Sequence, residues 1–439
     1  MTSVPLNIFW FRRDLRLHDN RGFFHALKEG GNVLPVFIFD TEILGRLENK
    51  SDARVEFIHS QLSVLKNELE KYGGSLKIIF GTPELAFKRV TDKYKITAVY
   101  TNRDYEPYAK ERDEKISKQL AENGIAFHTF KDHVIFEKDE VMKSDGKPYT
   151  IFTPYSVRWK AALQNVPIEH YSSDKLLDRL SKIAPFHTPS LEEITFTKSD
   201  IEVLKPRLNE DVLRNYHNTR NIPSIAGTSN LSVHLRFGTV SIREMVALAK
   251  QTNEQFLNEL IWREFFQMIL WHFPQVVNNA FKKNYDGIKW TNNEVHFQSW
   301  CEGKTGYPLV DAGMRELNAT GLMHNRVRMV VASFLTKHLL IDWRWGEAYF
   351  AEKLLDFELA SNNGNWQWAA GCGCDAAPYF RVFNPIEQQK KFDPDFTYIK
   401  KWVPEFGTYN YPKPIVEHVF ARERVLKAYK TALNREVLV

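Results

Sequence analysis

The feature that most constrains the fold is a regular alternation of short apolar runs and helical stretches in the first third of the chain. The apolar runs are "LNIFWFR" (6–12), "NVLPVFIFD" (32–40), "SLKIIFG" (75–81), "ITAVYTN" (96–102) and "IAFHTF" (125–130). Strand and helix in this repeated order predict a parallel α/β sheet. Ligands of such sheets lie beyond the carboxyl ends of the strands, where the sequence places Arg12, Asp14, Asp40 and Asp104. No glycine-rich loop follows the first run, so the usual nicotinamide-dinucleotide fingerprint is absent.

The rest of the chain follows a different pattern. An irregular stretch with several prolines runs from about 131 to 194, and apolar residues then recur at helical spacing. The helical stretches cover 254–273, 309–321, 322–340, 346–361 and 421–433. The sequence therefore predicts a Rossmann-like α/β domain over 1–131, a long interdomain linker over 132–195 and an all-α domain over 196–439.

Composition excludes several classes of protein. The 439 residues are 43% hydrophobic and 26% charged, which indicates neither disorder nor a membrane protein. The three cysteines, Cys301, Cys372 and Cys374, have no partners at zinc-like spacing, so we expect neither a disulfide framework nor a metal site. The N-terminus carries no signal-peptide pattern, which predicts a cytoplasmic location. A net charge of +5 allows a polyanionic partner, and 13% aromatic residues suit either core packing or stacking on flat rings.

One predicted helix has a face that mixes charged and apolar side chains. Glu259, Trp262, Arg263 and Phe266 recur at i, i+3, i+4 and i+7 and so share one face of 254–273. Such a face suggests the wall of a cavity. The alternative is a core stripe in which Glu259 and Arg263 pair along the helix.

A second helix repeats this mixture. Asn325, Arg328 and Met329 share a face where a purely structural helix would carry leucine. Asp356 lies further along the chain and is a candidate ion-pair partner of Arg328. A buried pair of this kind costs desolvation and is more credible beside a charged cofactor than as a stabilising contact.

Five stretches carry a resemblance to a known family. They are "FWFRRDLRLHDN" (9–20), "NELIWREFF" (258–266), "GKTGYPLVDAGMRELNATGLMHNRVRMVVASFL" (303–335), "IDWRWGEAYF" (341–350) and "NNGNWQWAAGCGCDAAPYFRVFNP" (362–385). They resemble the photolyase/cryptochrome family, most densely between Tyr216 and Asn384. Within that family, "MHNRVRM" and "NWQWAA" are more similar to class I cyclobutane pyrimidine dimer photolyases than to (6-4) photolyases or animal cryptochromes.

The resemblance implies an FAD folded into a U in the helical domain. Asn230, Phe256 and Glu358 depart from the family's usual basic residue, Trp and Asp. Asn362 matches the position beside the flavin N5, although an asparagine there is also typical of a turn or cap. The residues at matching FAD positions are Tyr216, Thr228, Ser229, Asn230, Leu231, Ser232, Phe256, Glu259, Arg263, Arg328, Asp356, Phe357, Glu358 and Asn362.

The resemblance also assigns roles to five tryptophans, each of which has core packing as its alternative. Trp290, Trp343 and Trp366 match a relay that carries an electron from the surface to photoexcited FAD. Trp262 and Trp368 match the two walls that clasp a flipped pyrimidine dimer. Trp366 and Trp368 are two positions apart, about 200° around a helix, so they must serve opposite sides. The other residues implied to touch the dimer are Glu259, Asn325 and Met329.

Basic and polar residues near these motifs are expected to bind the DNA backbone. The assigned DNA contacts are Arg220, Arg263, Arg326, Gln388 and Lys390, and the flanking cations are Arg381, Lys391, Lys400 and Lys401. A solvated charged face is the alternative for each cation taken singly.

An antenna pigment is a further expectation for the N-terminal domain. "DYEPYAKERD" (104–113) places Tyr108 and Ala109 where folate-binding relatives carry an Asn-Glu pair. A deazaflavin or a second flavin is therefore favoured over folate, with Asp40, Arg54 and Asp104 as candidate contacts, and an empty site is the alternative.

The implied function is light-dependent repair of cyclobutane pyrimidine dimers in DNA, by electron transfer from photoexcited, fully reduced FAD to the flipped-out dimer. This is a carbon–carbon lyase reaction. UV-damaged DNA is the implied partner of a monomer that needs neither a membrane nor an obligate protein partner. The alternatives are a cryptochrome-type blue-light sensor without repair activity and a flavoprotein that binds nucleic acid without catalysis. The end of the sequence directly after the last helix, without a signalling tail, favours repair over sensing, as does Asn362.

Overall fold

Segments that alternate along the sequence build two compact units. The computed structural model describes residues 2–434. The first unit takes the chain up to residue 140 together with 160–205 and 230–251, and the second takes 141–159, 206–229 and the chain from 252 onward. The stretch 132–195 thus contributes to both units. The domain boundaries at 131 and 195 stay a prediction.

Five strands form one parallel sheet in the first unit. They are β1 (Thr2–Phe11), β2 (Val33–Asp40), β3 (Lys77–Gly81), β4 (Tyr94–Asn102) and β5 (Ala126–Phe130). Their order is β3-β2-β1-β4-β5, and every neighbouring pair is parallel. The strand β2 is buried along its whole length, which explains its nearly continuous apolar sequence. The predicted parallel α/β sheet is confirmed.

Helices account for most of the remaining regular structure in residues 2–434. Several begin where a side chain caps the first turn: Asn20, Asp40, Asp52 and Asn253 each accept a backbone N–H two or three residues ahead. None of the described helices is long and apolar enough to cross a membrane. The α-helices are α1 (Arg21–His25), α2 (Thr41–Leu44), α3 (Ala53–Glu70), α4 (Pro83–Lys93), α5 (Pro107–Ala121), α6 (Phe152–Asn165), α7 (Glu210–Arg214), α8 (Tyr216–Thr219), α9 (Ser232–Phe237), α10 (Ile242–Thr252), α11 (Glu254–His272), α12 (Glu294–Cys301), α13 (Pro308–Thr320), α14 (Asn325–Ser333), α15 (Trp343–Lys353), α16 (Leu359–Ala370), α17 (Pro385–Phe392), α18 (Thr397–Trp402) and α19 (His418–Asn434). Short 3-10 helices cover Ser173–Arg179, Glu192–Ile194, Pro274–Val277 and Lys283–Gly287, and π-helical turns cover Ala26–Gly30 and Phe334–His338.

Three expectations about helices were wrong. The stretch 346–361 is two helices, because α15 ends at Lys353 and α16 begins at Leu359. The break is held from outside, since the Leu355 N–H donates to the Gly321 carbonyl at 2.9 Å. The helix predicted over 322–340 begins later, as α14, and its last turn is the π turn Phe334–His338. The stretch after 131 that was predicted to be irregular contains the whole of α6.

The core of the second unit surrounds a group of buried tryptophans on α12, α15 and α16. Two glycines let neighbouring elements approach these helices closely. A Cβ atom on Gly346 of α15 would lie 2.1 Å from the Trp366 ring, and one on Gly364 of α16 would lie 2.2 Å from the Phe266 ring. The positions of Trp366 on α16 and Phe266 on α11 therefore depend on the absence of two side chains.

Candidate functional site

A buried carboxylate just before α16 organises one side of the site. Glu358 is 6% exposed, and its Oε1 accepts from Arg263 Nη2 at 3.2 Å and from Gln267 Nε2 at 3.0 Å. Its Oε2 accepts from Ser361 Oγ at 3.1 Å. Three donors on two helices thus offset the cost of burying this charge. The structure brings the predicted residues Arg263 and Glu358 together.

A second ion pair joins α14 to the turn between α15 and α16. Arg328 Nη2 donates to the two oxygens of Asp356 at 2.9 and 3.2 Å, and Arg328 Nε donates to the Met323 carbonyl at 2.8 Å. The Asp356 side chain is 5% exposed. The pairing of Arg328 with Asp356 is confirmed.

The carboxylate of Glu259 is held by residues outside its own turn of α11. Arg220, which follows α8, donates to Glu259 Oε1, and Gln255 Nε2 donates to the same oxygen at 2.8 Å. The ring of Tyr216 packs edge-on against Phe256, with centroids 5.3 Å apart. Glu259, Tyr216 and Phe256 therefore lie around the first turns of α11.

The amide of Asn362 has a fixed orientation. Its Nδ2 donates to the Glu347 carbonyl at 3.0 Å and to Glu347 Oε1 at 2.9 Å. A backbone carbonyl only accepts, so the group that faces it must be the NH2, and both of its hydrogens are used. The Asn362 Oδ1 remains as an acceptor. Burial raises the pKa of Glu347 above its usual range, while the hydrogen bond from Asn362 lowers it.

Two buried oxygens on α11 indicate whether this set of residues fits FAD. Asn258 Oδ1 and Gln267 Oε1 are buried and have no hydrogen-bond partner in the described chain. Buried acceptors are nearly always bonded, so these atoms indicate donors that a bound group supplies. FAD carries a ring N–H and ribityl hydroxyls, which are donors of the required kind. The residues present therefore fit FAD.

The predicted phosphate loop is divided between the two units. Thr228 and Ser229 belong to the second unit, whereas Asn230, Leu231 and Ser232 belong to the first. Asn230 has a φ of 54°, a left-handed conformation that asparagine tolerates better than most residues. The role of this loop stays a prediction.

The three tryptophans of the predicted relay belong to one hydrophobic cluster. Trp343 and Trp366 are each 2% exposed, and Trp290 is partly buried against the same cluster. Trp366 packs edge-on against Phe350, with centroids 5.0 Å apart, and Trp290 packs edge-on against Tyr429 at 6.0 Å. All three indoles thus pack in or against one cluster, and their part in electron transfer stays a prediction.

The predicted lesion walls have different surroundings. Trp262 is stacked face to face on Phe152 of α6, with ring centroids 3.7 Å apart and planes 6° apart. Trp368 is partly buried, whereas Trp366 two positions earlier is buried, which agrees with the expected opposite orientations. Asn325 is exposed at the start of α14. Phe152 was not recognised from the sequence, since it lies in the stretch predicted to be a linker.

Three arginines form a basic cluster beside Glu259. Arg326 Nη2 donates to Asn221 Oδ1 at 2.7 Å. Burial lowers the pKa of Arg326, and the charges of Arg220 and Arg381 lower it further, so both of these groups lie close enough to Arg326 to repel its charge. Clustered cations of this kind bind phosphates.

The other predicted DNA contacts, Gln388 and Lys390, lie on α17, where Lys390 pairs with Glu387 at 2.8 Å.

The three antenna candidates lie at the end of β2, in α3 and shortly after β4, and each has a different partner. Asp40 accepts from the Tyr108 hydroxyl at 2.6 Å, Arg54 pairs with Asp52, and Asp104 accepts from Arg13 Nη1 at 3.1 Å. Burial raises the pKa of Asp40, against the lowering effect of the Tyr108 hydrogen bond. Their part in binding an antenna pigment stays a prediction.

Comparison with known proteins identifies the family. Residues 7–173 match a family model described as DNA photolyase, and residues 256–410 match one described as the FAD binding domain of DNA photolyase. The deoxyribodipyrimidine photo-lyase of a Synechococcus species is 35% identical, over 99% of this chain and 98% of that protein. The chain belongs to the photolyase/cryptochrome family.

Solved structures of this family have the same fold. A bacterial class III photolyase from Agrobacterium tumefaciens matches with a TM-score of 0.85 and 32% identity, over 98% of each chain. An archaeal photolyase from Sulfolobus tokodaii, solved with two FAD molecules, matches with a TM-score of 0.84 and 38% identity, over 97% of this chain and 100% of that one. A Synechocystis cryptochrome matches with a TM-score of 0.85 and 28% identity, over 98% of this chain and 100% of that one. The predicted fold and family are confirmed, and the class I assignment stays a prediction.

Proposed function

We propose that this photolyase-family chain repairs cyclobutane pyrimidine dimers in DNA in a light-dependent reaction, as a deoxyribodipyrimidine photo-lyase. The observation that carries the proposal is the arrangement around Glu259. This carboxylate is bonded by Arg220 of the basic cluster and shares the face of α11 with Trp262 and Arg263. Polar groups for a cofactor, an aromatic wall and cations for a phosphate backbone thus meet on one helix.

The buried polar set would hold the cofactor. FAD, when bound, supplies a light-absorbing one-electron donor. The ion pairs Arg263–Glu358 and Arg328–Asp356 present fixed charges to it, and Asn362 Oδ1 presents an uncharged acceptor. Neutral and paired groups of this kind orient a cofactor without adding net charge beside it.

The exposed side of the same helices would hold the lesion. Enzymes that act on flipped bases, photolyases among them, extrude the base at a cost of about a few kcal/mol, which is smaller for a damaged pair. Trp262, kept in place by Phe152, and Trp368 offer flat surfaces to the two pyrimidines. Asn325 and Met329 on α14 offer an amide and a soft thioether to the base edges.

The tryptophan relay would reduce the cofactor before repair begins. Trp290, Trp343 and Trp366 are assigned to it by the family resemblance, and their packing in or against one hydrophobic cluster supports the assignment. Stepwise transfer between such rings covers distances that one hop does not.

The basic cluster and α17 would bind the strand that carries the lesion. Phosphate contacts fix the position of a protein on DNA without reading the sequence. We infer that the enzyme works as a cytoplasmic monomer of class I type, and the similarity of "MHNRVRM" and "NWQWAA" to class I photolyases supports the class. An antenna of the deazaflavin or flavin type remains part of the proposal.

A cryptochrome-type blue-light sensor is the second candidate, because the fold matches the Synechocystis cryptochrome as well as it matches the photolyases. A sensor needs the cofactor set and the relay but not the lesion slot. The presence of Glu259, Trp262, Asn325, Met329 and Trp368 together favours repair.

The proposal is tested with an oligonucleotide that carries one cyclobutane thymine dimer. The protein, with its FAD chemically reduced, is incubated with the duplex under blue light or in darkness, and restored thymines are quantified. Repair only under light is expected, and Glu259→Gln should lower it. Light-independent repair would reject the proposal, and cofactor loading without any repair would reject it in favour of the sensor.

A further inference from the structure

A cavity of about 370 Å³ lies in the first unit, at the carboxyl ends of β4 and β5. Arg103 follows β4, Phe130 ends β5, and Lys131 follows it; all three line the cavity. Ligands of parallel sheets bind beyond the carboxyl ends of the strands. The volume is near the lower end of the range of about 300–1,000 Å³ that is typical of pockets for small organic ligands.

One wall of the cavity is apolar. It is formed by Leu163, Val166, Pro167 and Ile168, at the end of α6 and just beyond it. Val166 is 49% exposed, which is high for a large apolar side chain in a concave site. A flat apolar group placed against this wall would remove that surface from water.

Most charges around the cavity are neutralised by a partner. Three of the four lining cations are paired with carboxylates: Arg103 with Glu137, Lys131 with Glu140 at 2.6 Å, and Arg243 with Asp19 at 3.0 Å and Asp132 at 2.8 Å. The exposed Glu169 accepts from the Tyr171 hydroxyl. These groups are already satisfied and have little to offer a ligand.

Arg21 is the exception. Its Nε is buried without a hydrogen-bond partner, and no carboxylate of the described chain pairs with its guanidinium. The guanidinium lies over the face of Tyr171, 5.1 Å from the ring centroid, and Arg21 lines the cavity. A buried N–H without an acceptor is costly, because it loses its hydrogen bond to water and gains none in return.

We propose that this cavity binds an amphipathic organic monoanion, a compound with a mainly planar apolar body and one carboxylate, sulfonate or phosphate group. The anionic group bonds the Arg21 guanidinium, and the body covers the wall at Val166 and Pro167. The site shares no lining residue with the antenna candidates Asp40, Arg54 and Asp104. None of the residues assigned to FAD lines it either.

The test uses two probes with nearly the same body, 8-anilinonaphthalene-1-sulfonate and the uncharged N-phenyl-1-naphthylamine. Binding to the full chain with its cofactor is measured by isothermal titration calorimetry. One saturable site for the sulfonate is expected. Arg21→Gln should weaken sulfonate binding about 10- to 100-fold, the value of a charge-assisted hydrogen bond, and leave the uncharged probe unaffected.

Two further variants keep the test decisive. Arg158→Gln removes an exposed cation of α6 that does not line the cavity, and it should leave both affinities unchanged. Val166→Asp places a carboxylate on the apolar wall and should weaken binding of the sulfonate. This variant tests the site independently if Arg21→Gln fails to fold. The proposal is overturned if the sulfonate does not saturate one site, or if folded Arg21→Gln and Val166→Asp bind it as the parent does.

Discussion

At the scale of single residues, the orientation of the Asn362 amide depends on Glu347, a residue 15 positions away on another helix. Glu347 uses both amide hydrogens, so the oxygen of Asn362 is the atom that remains for a ligand. The motif containing Asn362 could be recognised from the sequence. The hydrogen bonds that orient the amide could not, since nothing in the spacing of Glu347 and Asn362 predicts contact between α15 and α16.

Asn362→Asp removes both N–H donors and places a carboxylate against the carboxyl group of Glu347. We expect reduced flavin to be reoxidised in air at a different rate in the variant than in the parent, because the side chain at position 362 gains charge and loses its fixed orientation. Absorbance after anaerobic reduction and admission of air measures the rate. An oxidation rate equal to that of the parent would contradict the role assigned to Asn362.

Trp366→Phe tests the relay. Phenylalanine fills most of the same space beside Gly346 but is much harder to oxidise than indole. Photoreduction of bound, oxidised FAD under blue light should fall to a small fraction of the parent rate. Trp300→Phe is a matched control, because Trp300 is buried in the same cluster and is not assigned to the relay. Equal photoreduction in Trp366→Phe and the parent would reject the relay.

The buried side chain of Lys337 should make the stability of the folded chain depend on pH. Burial lowers its pKa in the folded chain to about 7, from an ordinary value of 10.5. Below about pH 7 the folded chain carries a buried ammonium, and this cost disappears as the pH rises from 7 towards 10.5, where only the unfolded chain binds the proton. Lys337→Met removes the cost, and the Ala370 carbonyl keeps its hydrogen bond from the Tyr429 hydroxyl at 2.8 Å.

The melting temperature of Lys337→Met relative to the parent should therefore be highest near pH 6 and should decline by pH 9. Lys118→Met, at a side chain that is 72% exposed, is the control and should show no such trend. If the difference in melting temperature between Lys337→Met and the parent does not vary with pH, Lys337 keeps one charge state across the whole pH range, and the prediction is wrong.

At the scale of elements, α6 is the helix whose place in the fold differs most from its prediction. Its first residue, Phe152, donates its N–H to Asp375 Oδ2 at 3.1 Å, and Trp159 Nε1 donates to Glu264 Oε1 of α11 at 2.5 Å. These bonds fix both the start and the middle of α6 in the second unit. The stacking of Phe152 on Trp262 follows from that anchorage.

Phe152→Leu removes the ring stacked on Trp262. A stacked aromatic pair contributes about 0.5–1.5 kcal/mol beyond its buried area. Without the stack, binding must supply the energy that orders Trp262, so binding of dimer-containing duplex should weaken by up to about 12-fold. Binding of undamaged duplex should change little. The control is Phe297→Leu, which removes a ring stacked on Trp300 elsewhere in the unit. Equal loss for damaged and undamaged DNA would mean that Phe152 only supports the fold.

The elements that the sequence predicted well are those with a clear period. All five strands and α11, α13 and α19 were recognisable from the spacing of apolar residues. The break between α15 and α16 was not, because the Gly321 carbonyl that holds Leu355 comes from a distant part of the chain. The helix α6 was missed because neighbouring prolines and polar residues hide its pattern. In each case a tertiary contact decided what local spacing left open.

At the scale of the whole molecule, the basic cluster predicts strong salt dependence of DNA binding. The logarithm of the binding constant should fall linearly with the logarithm of salt concentration, with a slope of about −0.9 for each phosphate neutralised. Arg326→Gln should reduce the magnitude of the slope by about 1, and it should weaken the binding of damaged and undamaged duplex equally. Lys118→Gln, in the first unit, should leave the slope unchanged. A salt-independent affinity of the parent would contradict a basic rim.

The alternation of segments between the two units affects how the chain can fold as it leaves the ribosome. The first unit needs residues up to 251, and the second incorporates 141–159 with segments made only after 252. The nascent chain must therefore keep α6 without its partner α11 while about a hundred further residues are synthesised. Pairing over such separations is slow, so a chaperone that shields the apolar face of α6 during this interval would raise the yield of folded protein.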